Sequence, residues 1–388
     1  MITATGGERR ARAEIDVDAI AANVQVLREH AGDAAVMAVV KAEGYGHGML
    51  PSARAAVAGG AEWIGAATLD EALALRAGGI TVPVLTWLAI PGEPLAAGIA
   101  AAIDLSASAP WMLAEIVAAA ATTGTTARVH LKVDTGLTRG GARLGRDWVD
   151  LVEAAAKAQA DAAIDVVGVW THFAHADSPR HATTDAQVDA FAEAVAIAER
   201  SGVRPLVRHV ANSAATLTRP DARFDVVRPG VAVYGLSPVP EVASAEQLGL
   251  RPAMTLRGAV ALTKRVPPGV GVSYGHVHTT ERETTLALVP LGYADGVPRA
   301  ATGRAQLWLG GARRPIQARV CMDQLVVEVG DDPVAPGDDV ILFGPGTGGE
   351  PTAQEWAEWL GTISYEVVCG VGSRVPRVYV GTAGKLDA

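Results

Sequence analysis

The sequence predicts an α/β fold in which a (β/α)8 barrel of the TIM type precedes a C-terminal, mainly-β domain. Three observations predict it. Between residues 34 and 235, short β-type runs alternate with longer alanine-rich helical ones. The strand runs are nearly continuous in apolar residues, as expected for strands covered on both faces. Near Leu250 the helical stretches stop, and β-rich runs punctuated by Pro-Pro-Gly, Gly-Gly and Gly-Pro-Gly turns take over.

In chain order, the buried strand runs are 35–41, 63–68, 83–88, 102–106, 127–133, 166–172, 207–211 and 226–227. Helical patterns fill the gaps. Thr68-Leu69-Asp70-Glu71 opens one helix, and a second pattern over 185–200 is closed by Gly202. Eight β-to-α units in about two hundred residues fit a barrel, with an open doubly wound sheet as the competing arrangement. The later runs are 256–266, 284–289, 305–309, 316–320, 324–329 and 339–343, with one helix over 353–360. The division is an N-terminal extension over 1–13, a barrel over 14–245 and a β domain over 246–388. Residues 236–247 read as the linker, and residues 10–16 as an extra strand that pairs with the later domain.

Composition narrows the function. The 388 residues are 49% hydrophobic and 19% charged, and 33 basic against 42 acidic side chains leave a net charge of −9. A phosphate-backbone binder needs a basic surface, so nucleic acid is not the expected partner. Two cysteines, Cys321 and Cys369, build no disulfide framework, and a reducing cytoplasm is the simplest location. Arg9, Arg10 and Arg12 have no apolar stretch behind them, so no signal peptide is expected. The most apolar region, residues 88–105, is interrupted by Pro91, Glu93, Pro94 and Asp104, which predicts no membrane span.

Function in such barrels gathers at the C-terminal ends of the strands. That rule selects Lys41 after the first strand, and Lys132, Asp134 and Arg139 at and beyond the fifth. It adds His172 after the sixth, Asn212-Ser213 after the seventh and Arg228-Pro229-Gly230 after the eighth. A mouth with so many cations needs an anionic ligand. The loops after the last two strands are the usual phosphate site, with a hydroxyl at Ser213 and close backbone approach at Gly230. An amine ending the apolar run Met37-Ala38-Val39-Val40 is a Schiff-base candidate, because burial favours the neutral, nucleophilic form. A phosphate site and an imine-forming lysine together point to pyridoxal 5'-phosphate. No metal is expected: His172-x-x-His175 and His276-x-His278 lack the His-x-His placement at an early strand end that a metal-dependent barrel amidohydrolase wants. A cofactor-binding protein without catalysis is the third reading.

Motifs along nearly the whole chain make the resemblance specific. Ala38-Val39-Val40-Lys41-Ala42-Glu43-Gly44-Tyr45-Gly46-His47-Gly48 resembles the cofactor-lysine motif of bacterial alanine racemases, with Glu43-Gly44 where the family usually carries Asn or Asp, then Ala. In order, Lys132-Val133-Asp134-Thr135-Gly136-Leu137-Thr138-Arg139, Thr171-His172-Phe173-Ala174, Asn212-Ser213-Ala214-Ala215 and Arg228-Pro229-Gly230 resemble the same family. Val272-Ser273-Tyr274-Gly275, Gly292-Tyr293-Ala294-Asp295-Gly296, Val320-Cys321-Met322-Asp323-Gln324, Ile363-Ser364-Tyr365-Glu366 and Ser373-Arg374-Val375-Pro376-Arg377 continue it.

The resemblance implies a cytoplasmic, pyridoxal phosphate-dependent racemase. It would interconvert L- and D-alanine for peptidoglycan synthesis, with serine or another small amino acid as the alternative substrate. It implies that Lys41 holds the cofactor and serves as one base, and that Tyr274 of a second subunit serves as the other. Arg228 would meet the pyridine nitrogen beside His172, while Tyr45, Ser213, Gly230, Val231 and Tyr365 would contact the phosphate. Arg139 and the backbone N–H of Met322 would bind the substrate carboxylate, and Lys132 would be carbamylated to orient Arg139. A homodimer with shared active sites follows, since Tyr274 and Met322 must reach a neighbour's cofactor.

Overall fold

The computed structural model describes residues 10–384. The first nine positions of the expected N-terminal extension lie outside the described residues. The chain forms two compact units. One comprises Ile20–Gly44 and Met49–Leu250; the other comprises residues 10–19, Tyr45–Gly48 and Arg251–Thr382.

Strand β1 (Ala11–Asp16) runs into helix α1 (Val17–Ala31). The Asp16 carboxylate caps that helix by accepting the Ala19 N–H at 2.9 Å. Eight parallel strands then follow: β2 (Ala35–Val39), β3 (Trp63–Ala66), β4 (Val84–Thr86), β5 (Ile103–Ala107), β6 (Ala127–Asp134), β7 (Ile164–Trp170), β8 (Val207–His209) and β9 (Val226–Val227). They are ordered β9-β2-β3-β4-β5-β6-β7-β8. A parallel bridge between Asn212 and Arg228, with the Arg228 N–H donating to the Ala211 carbonyl at 2.8 Å, joins the two ends. The sheet closes into a barrel.

The connecting helices are α2 (Met49–Ala58), α3 (Leu69–Ala77), α4 (Leu95–Ala100), α5 (Pro110–Thr123), α6 (Arg146–Ala160), α7 (Ala182–Arg200) and α8 (Ser213–Thr218). Local chemistry sets their ends. Thr68 and Glu71 form a capping box at the start of α3, and Pro110 opens α5, which Gly124 closes in a left-handed conformation. Inside the barrel, Met37, Leu85 and Val226 form a buried layer against Trp63, Trp87 and Val207. Burial of each such aliphatic side chain contributes about 1.5–3 kcal/mol.

In the other unit the longer strands are β10 (Met254–Ala259), β11 (Leu262–Val266), β12 (Thr284–Val289), β13 (Gln306–Leu309), β14 (Ala312–Pro315), β15 (Leu325–Gly330), β16 (Asp339–Phe343) and β17 (Arg377–Val380). Six strands form a sheet ordered β14-β13-β16-β10-β1-β17, and three form β11-β12-β15. Helices α9 (Ala353–Leu360) and α10 (Ser364–Cys369) complete it. The buried Trp356 of α9 donates its indole N–H to the Leu342 carbonyl at 2.7 Å.

Two strand expectations are corrected. The run 256–266 is two strands in different sheets, because the chain breaks between Ala259 and Leu262. The run 316–320 is no strand. The strand precedes it as β14, paired to β13 through Gly310-Gly311, whose φ values of +61° and +76° make the tight hairpin turn.

Candidate active site

Beyond β2 the backbone enters an unusual turn. Ala42, Glu43, Gly44 and Tyr45 have φ of +53°, +53°, +60° and +52°. Left-handed backbone costs roughly 1–2 kcal/mol for each residue with a Cβ, so the turn needs external anchors. The Glu71 carboxylate provides one, accepting the Ala42 N–H at 2.7 Å, the Ala67 N–H at 2.8 Å and the Thr68 N–H at 3.2 Å. The Gly44 N–H donates back to the Val40 carbonyl at 2.9 Å. Lys41, half-buried, is thereby fixed at the mouth of the first barrel strand.

Arg228 leaves β9 and is buried. Its guanidinium donates to the carbonyls of Thr171 (2.7 Å) and Val210 (3.1 Å), and to ring nitrogens of His209 (3.1 Å) and His172 (3.3 Å). Burial pushes it down to about 9, which leaves it cationic at neutral pH. Lys132, on β6, is 8% exposed and is held down to about 8, first by burial, then by Arg228 and Arg139. His172 lies well below the usual imidazole range, through burial and then Arg228, Arg139, Lys132 and Lys41. Lys41, Arg139 and Arg228 thus all act electrostatically on both Lys132 and His172, so the cations selected from the sequence gather at one barrel mouth.

After β8 and β9, the Asn212 side chain caps α8 by accepting the Ala215 N–H at 3.1 Å. Ser213 opens this helix and is buried. Its Oγ accepts the N–H groups of Gly230 at 2.8 Å and Ala232 at 3.3 Å, so Val231 lies within a backbone cradle around one hydroxyl. Amide donors converging in this way suit a phosphate.

The remaining sequence-selected residues belong to the second unit. Tyr45 and Tyr365 have ring centroids 6.2 Å apart, and burial, then Tyr365 and Cys369, push the Tyr45 phenol above its ordinary range. Tyr274 is 71% exposed and Met322 53% exposed. Their loops are tied together. The Ser273 hydroxyl donates to the Arg319 carbonyl at 2.9 Å and lies 3.3 Å from Cys321 Sγ. Gly292 packs against the same loop, where a Cβ would stand 2.3 Å from the Cys321 carbonyl oxygen.

Family models described as "Alanine racemase, N-terminal domain" and "Alanine racemase, C-terminal domain" match residues 15–238 and 253–379. The chain belongs to the alanine racemase family. An alanine racemase of Frankia casuarinae is 62% identical over 375 residues, covering 97% of each chain. One from Salinispora arenicola is 60% identical, over 96% of this chain and 99% of that protein. Among solved structures, the alanine racemase from D-cycloserine-producing Streptomyces lavendulae superposes with a TM-score of 0.95 at 53% identity. It covers 96% of this chain and 97% of that one. The Streptomyces coelicolor A3(2) alanine racemase does so with a TM-score of 0.95 at 54% identity, over 97% and 99%. As a member of this family the chain is an enzyme, a racemase.

Two supporting residues of this family member escaped sequence reasoning. Glu71 was legible only as part of a helix cap, yet it also holds the Lys41 turn. Gln187, buried on α7, accepts the Ala174 N–H at 2.9 Å and donates to Thr135 Oγ1 and the His172 carbonyl, both at 3.1 Å. It ties the exits of β6 and β7 together. A glutamine inside an amphipathic helix carries no sequence signal for that role.

Proposed function

We propose that this chain interconverts L- and D-alanine with pyridoxal 5'-phosphate, as a cytoplasmic homodimer supplying D-alanine for peptidoglycan. The observation that carries the cofactor assignment is the buried Ser213 hydroxyl, on which the Gly230 and Ala232 amides converge. These donors fit a phosphate, the Lys41 amine fits an aldehyde, and the donor-only Arg228 fits an unprotonated pyridine nitrogen. Tyr45, Val231 and Tyr365 take the remaining phosphate contacts in this reading.

When bound, pyridoxal phosphate supplies an aldehyde for the substrate amine and a ring that disperses the electrons left at the α-carbon. The chain's own groups do the rest. Lys41 Nζ removes or returns the α-proton on one face, and the Tyr274 phenolic oxygen of a second subunit does so on the other. Inversion requires such a pair, because one base returns a proton to the face it came from. A guanidinium donates without surrendering its proton, so Arg228 keeps the electron sink weak and favours reprotonation of the α-carbon. Arg139 pairs with the substrate carboxylate, whose second donor is the Met322 N–H. Lys132 takes up carbon dioxide as a carbamate, releasing a proton and turning a neighbour that repels Arg139 into one that orients it. The exposure of Tyr274 and Met322 on the single chain supports their delivery to another copy. Tyr274 and Tyr365 narrow the entrance, which favours alanine over larger side chains.

The test is incubation of the holoenzyme with individual L-amino acids in deuterium oxide, followed by chiral separation. The reading expects D-alanine carrying α-deuterium, and little product from larger amino acids. Chiral stability of alanine with no α-exchange would refute it.

A further inference from the structure

A row of polar side chains crosses the barrel interior beneath Arg228. Arg228 Nη1 lies 3.1 Å from His209 Nδ1, His209 Nε2 lies 2.9 Å from His130 Nδ1, and His130 Nε2 lies 3.2 Å from Asp104 Oδ2. Asp104 is 1% exposed, and His130 and His209 are fully buried. At the far end Arg128 grips Asp104 through two contacts of 2.6 and 3.1 Å.

The direction of the row is fixed by chemistry. A guanidinium only donates, so His209 Nδ1 accepts and its single proton sits on Nε2. His130 Nδ1 must then accept, its proton also sits on Nε2, and Asp104 receives it as a carboxylate. The surroundings are built for this arrangement. The Trp170 ring stacks on His209 at 5.7 Å with planes 6° apart, and Trp63 meets His130 edge-on. A Cβ on Gly168 would lie 2.3 Å from His130 Nδ1, so only glycine leaves room for that imidazole.

We infer that Asp104, His130 and His209 form a one-directional positioning relay that holds Arg228 as a pure hydrogen-bond donor in the barrel mouth. Arg228 is buried with neutral acceptors in contact with it, and the relay links it to a carboxylate across the core. The three are positioning residues acting through Arg228. The inference rests on the cofactor reading only for what Arg228 faces.

The test uses full-length protein with 15N-labelled histidine. In the cofactor-free wild type, His130 and His209 should each show a single Nε2–H tautomer, and His209 should remain neutral at pH 5. His130→Phe removes the acceptor of the His209 Nε2–H and should shift the His209 Nε2 resonance, while the tautomer set by Arg228 persists. It should also weaken pyridoxal phosphate binding about tenfold and alter the absorption of the bound cofactor. Arg128→Gln removes the outer partner of Asp104 and should leave the His209 signal and binding within twofold of wild type. Asp104→Asn, which keeps an acceptor but removes the charge, is the second variant should His130→Phe not fold, and should shift His209 in the same sense. A folded His130→Phe or Asp104→Asn protein with unchanged His209 resonances overturns the relay. So does an Nδ1–H tautomer in the wild type. Failure of the wild type to bind pyridoxal phosphate refutes the cofactor reading, and the tautomer results still decide the relay.

Discussion

Lys132 and Arg228 share one aromatic ring. The Lys132 ammonium lies 4.3 Å, and the Arg228 guanidinium carbon 4.8 Å, from the ring centroid of Trp170. Cation–π contact offsets part of the cost of burying two like charges, but Lys132 remains below its ordinary value of 10.5, at about 8.

That displacement has a sign. The folded chain binds fewer protons than the unfolded one between pH 8 and 10.5, so the penalty for holding Lys132 cationic is complete below pH 8 and fades as pH rises to 10.5. It amounts to about 3 kcal/mol. In carbonate-free buffer, Lys132→Met is expected to be more stable than wild type at pH 7, with the difference vanishing by pH 10.5. Denaturant titrations across that range check it, and added bicarbonate should narrow the gap at pH 8.

His172 acts with the same sign in a lower pH window. Its imidazole is held neutral by burial and by Arg228, whereas in the unfolded chain it protonates near 6.5. Stability is therefore lost as pH falls through 6.5, by about 1.4 kcal/mol per pH unit for this one group. His172→Asn should lower the slope of stability against pH between 6 and 5 by about that amount, measured by chemical denaturation of the cofactor-free protein.

Ser213→Ala removes the acceptor of two buried amide donors. Stranding them costs about 1–3 kcal/mol in the cofactor-free protein. If the cradle receives a phosphate, pyridoxal phosphate affinity should fall by about tenfold or more, read by equilibrium dialysis.

Glu71→Ala unties the Ala42 N–H of the Lys41 turn and the Ala67 and Thr68 N–H groups at the start of α3. The expected loss is about 2 kcal/mol of stability, together with slower reaction of Lys41 with pyridoxal phosphate, followed as colour fixed by borohydride. Unchanged rates would show that the turn is held without it.

Most of the barrel was legible because each of its strands is a local apolar run bounded by turn residues, and the boundaries of β2 to β9 fall within a few residues of those read from the sequence. Lys41, Ser213 and Arg228 were legible for a related reason: barrel chemistry sits where strands end. The break between β10 and β11 was not, because Val260-Ala261 carries no turn signal and only the pairing partners separate the two strands. The strands Ala11–Asp16 and Arg377–Val380 pair in parallel from opposite ends of the described chain, a long-range register no local pattern encodes. His130 and His209 each looked like an isolated imidazole in a strand. Their alignment beneath Arg228 exists only once the barrel closes.

The proposed catalytic centre is completed by two copies of the chain, and mixing of variant subunits decides whether it is. Lys41→Ala and Tyr274→Phe homodimers should each be inactive in racemisation. Random reassociation of equal amounts gives half heterodimers with one intact site each, and so about a quarter of wild-type activity. Recovery near that level is the predicted result. No recovery, with heterodimers verified by mass, would contradict the account.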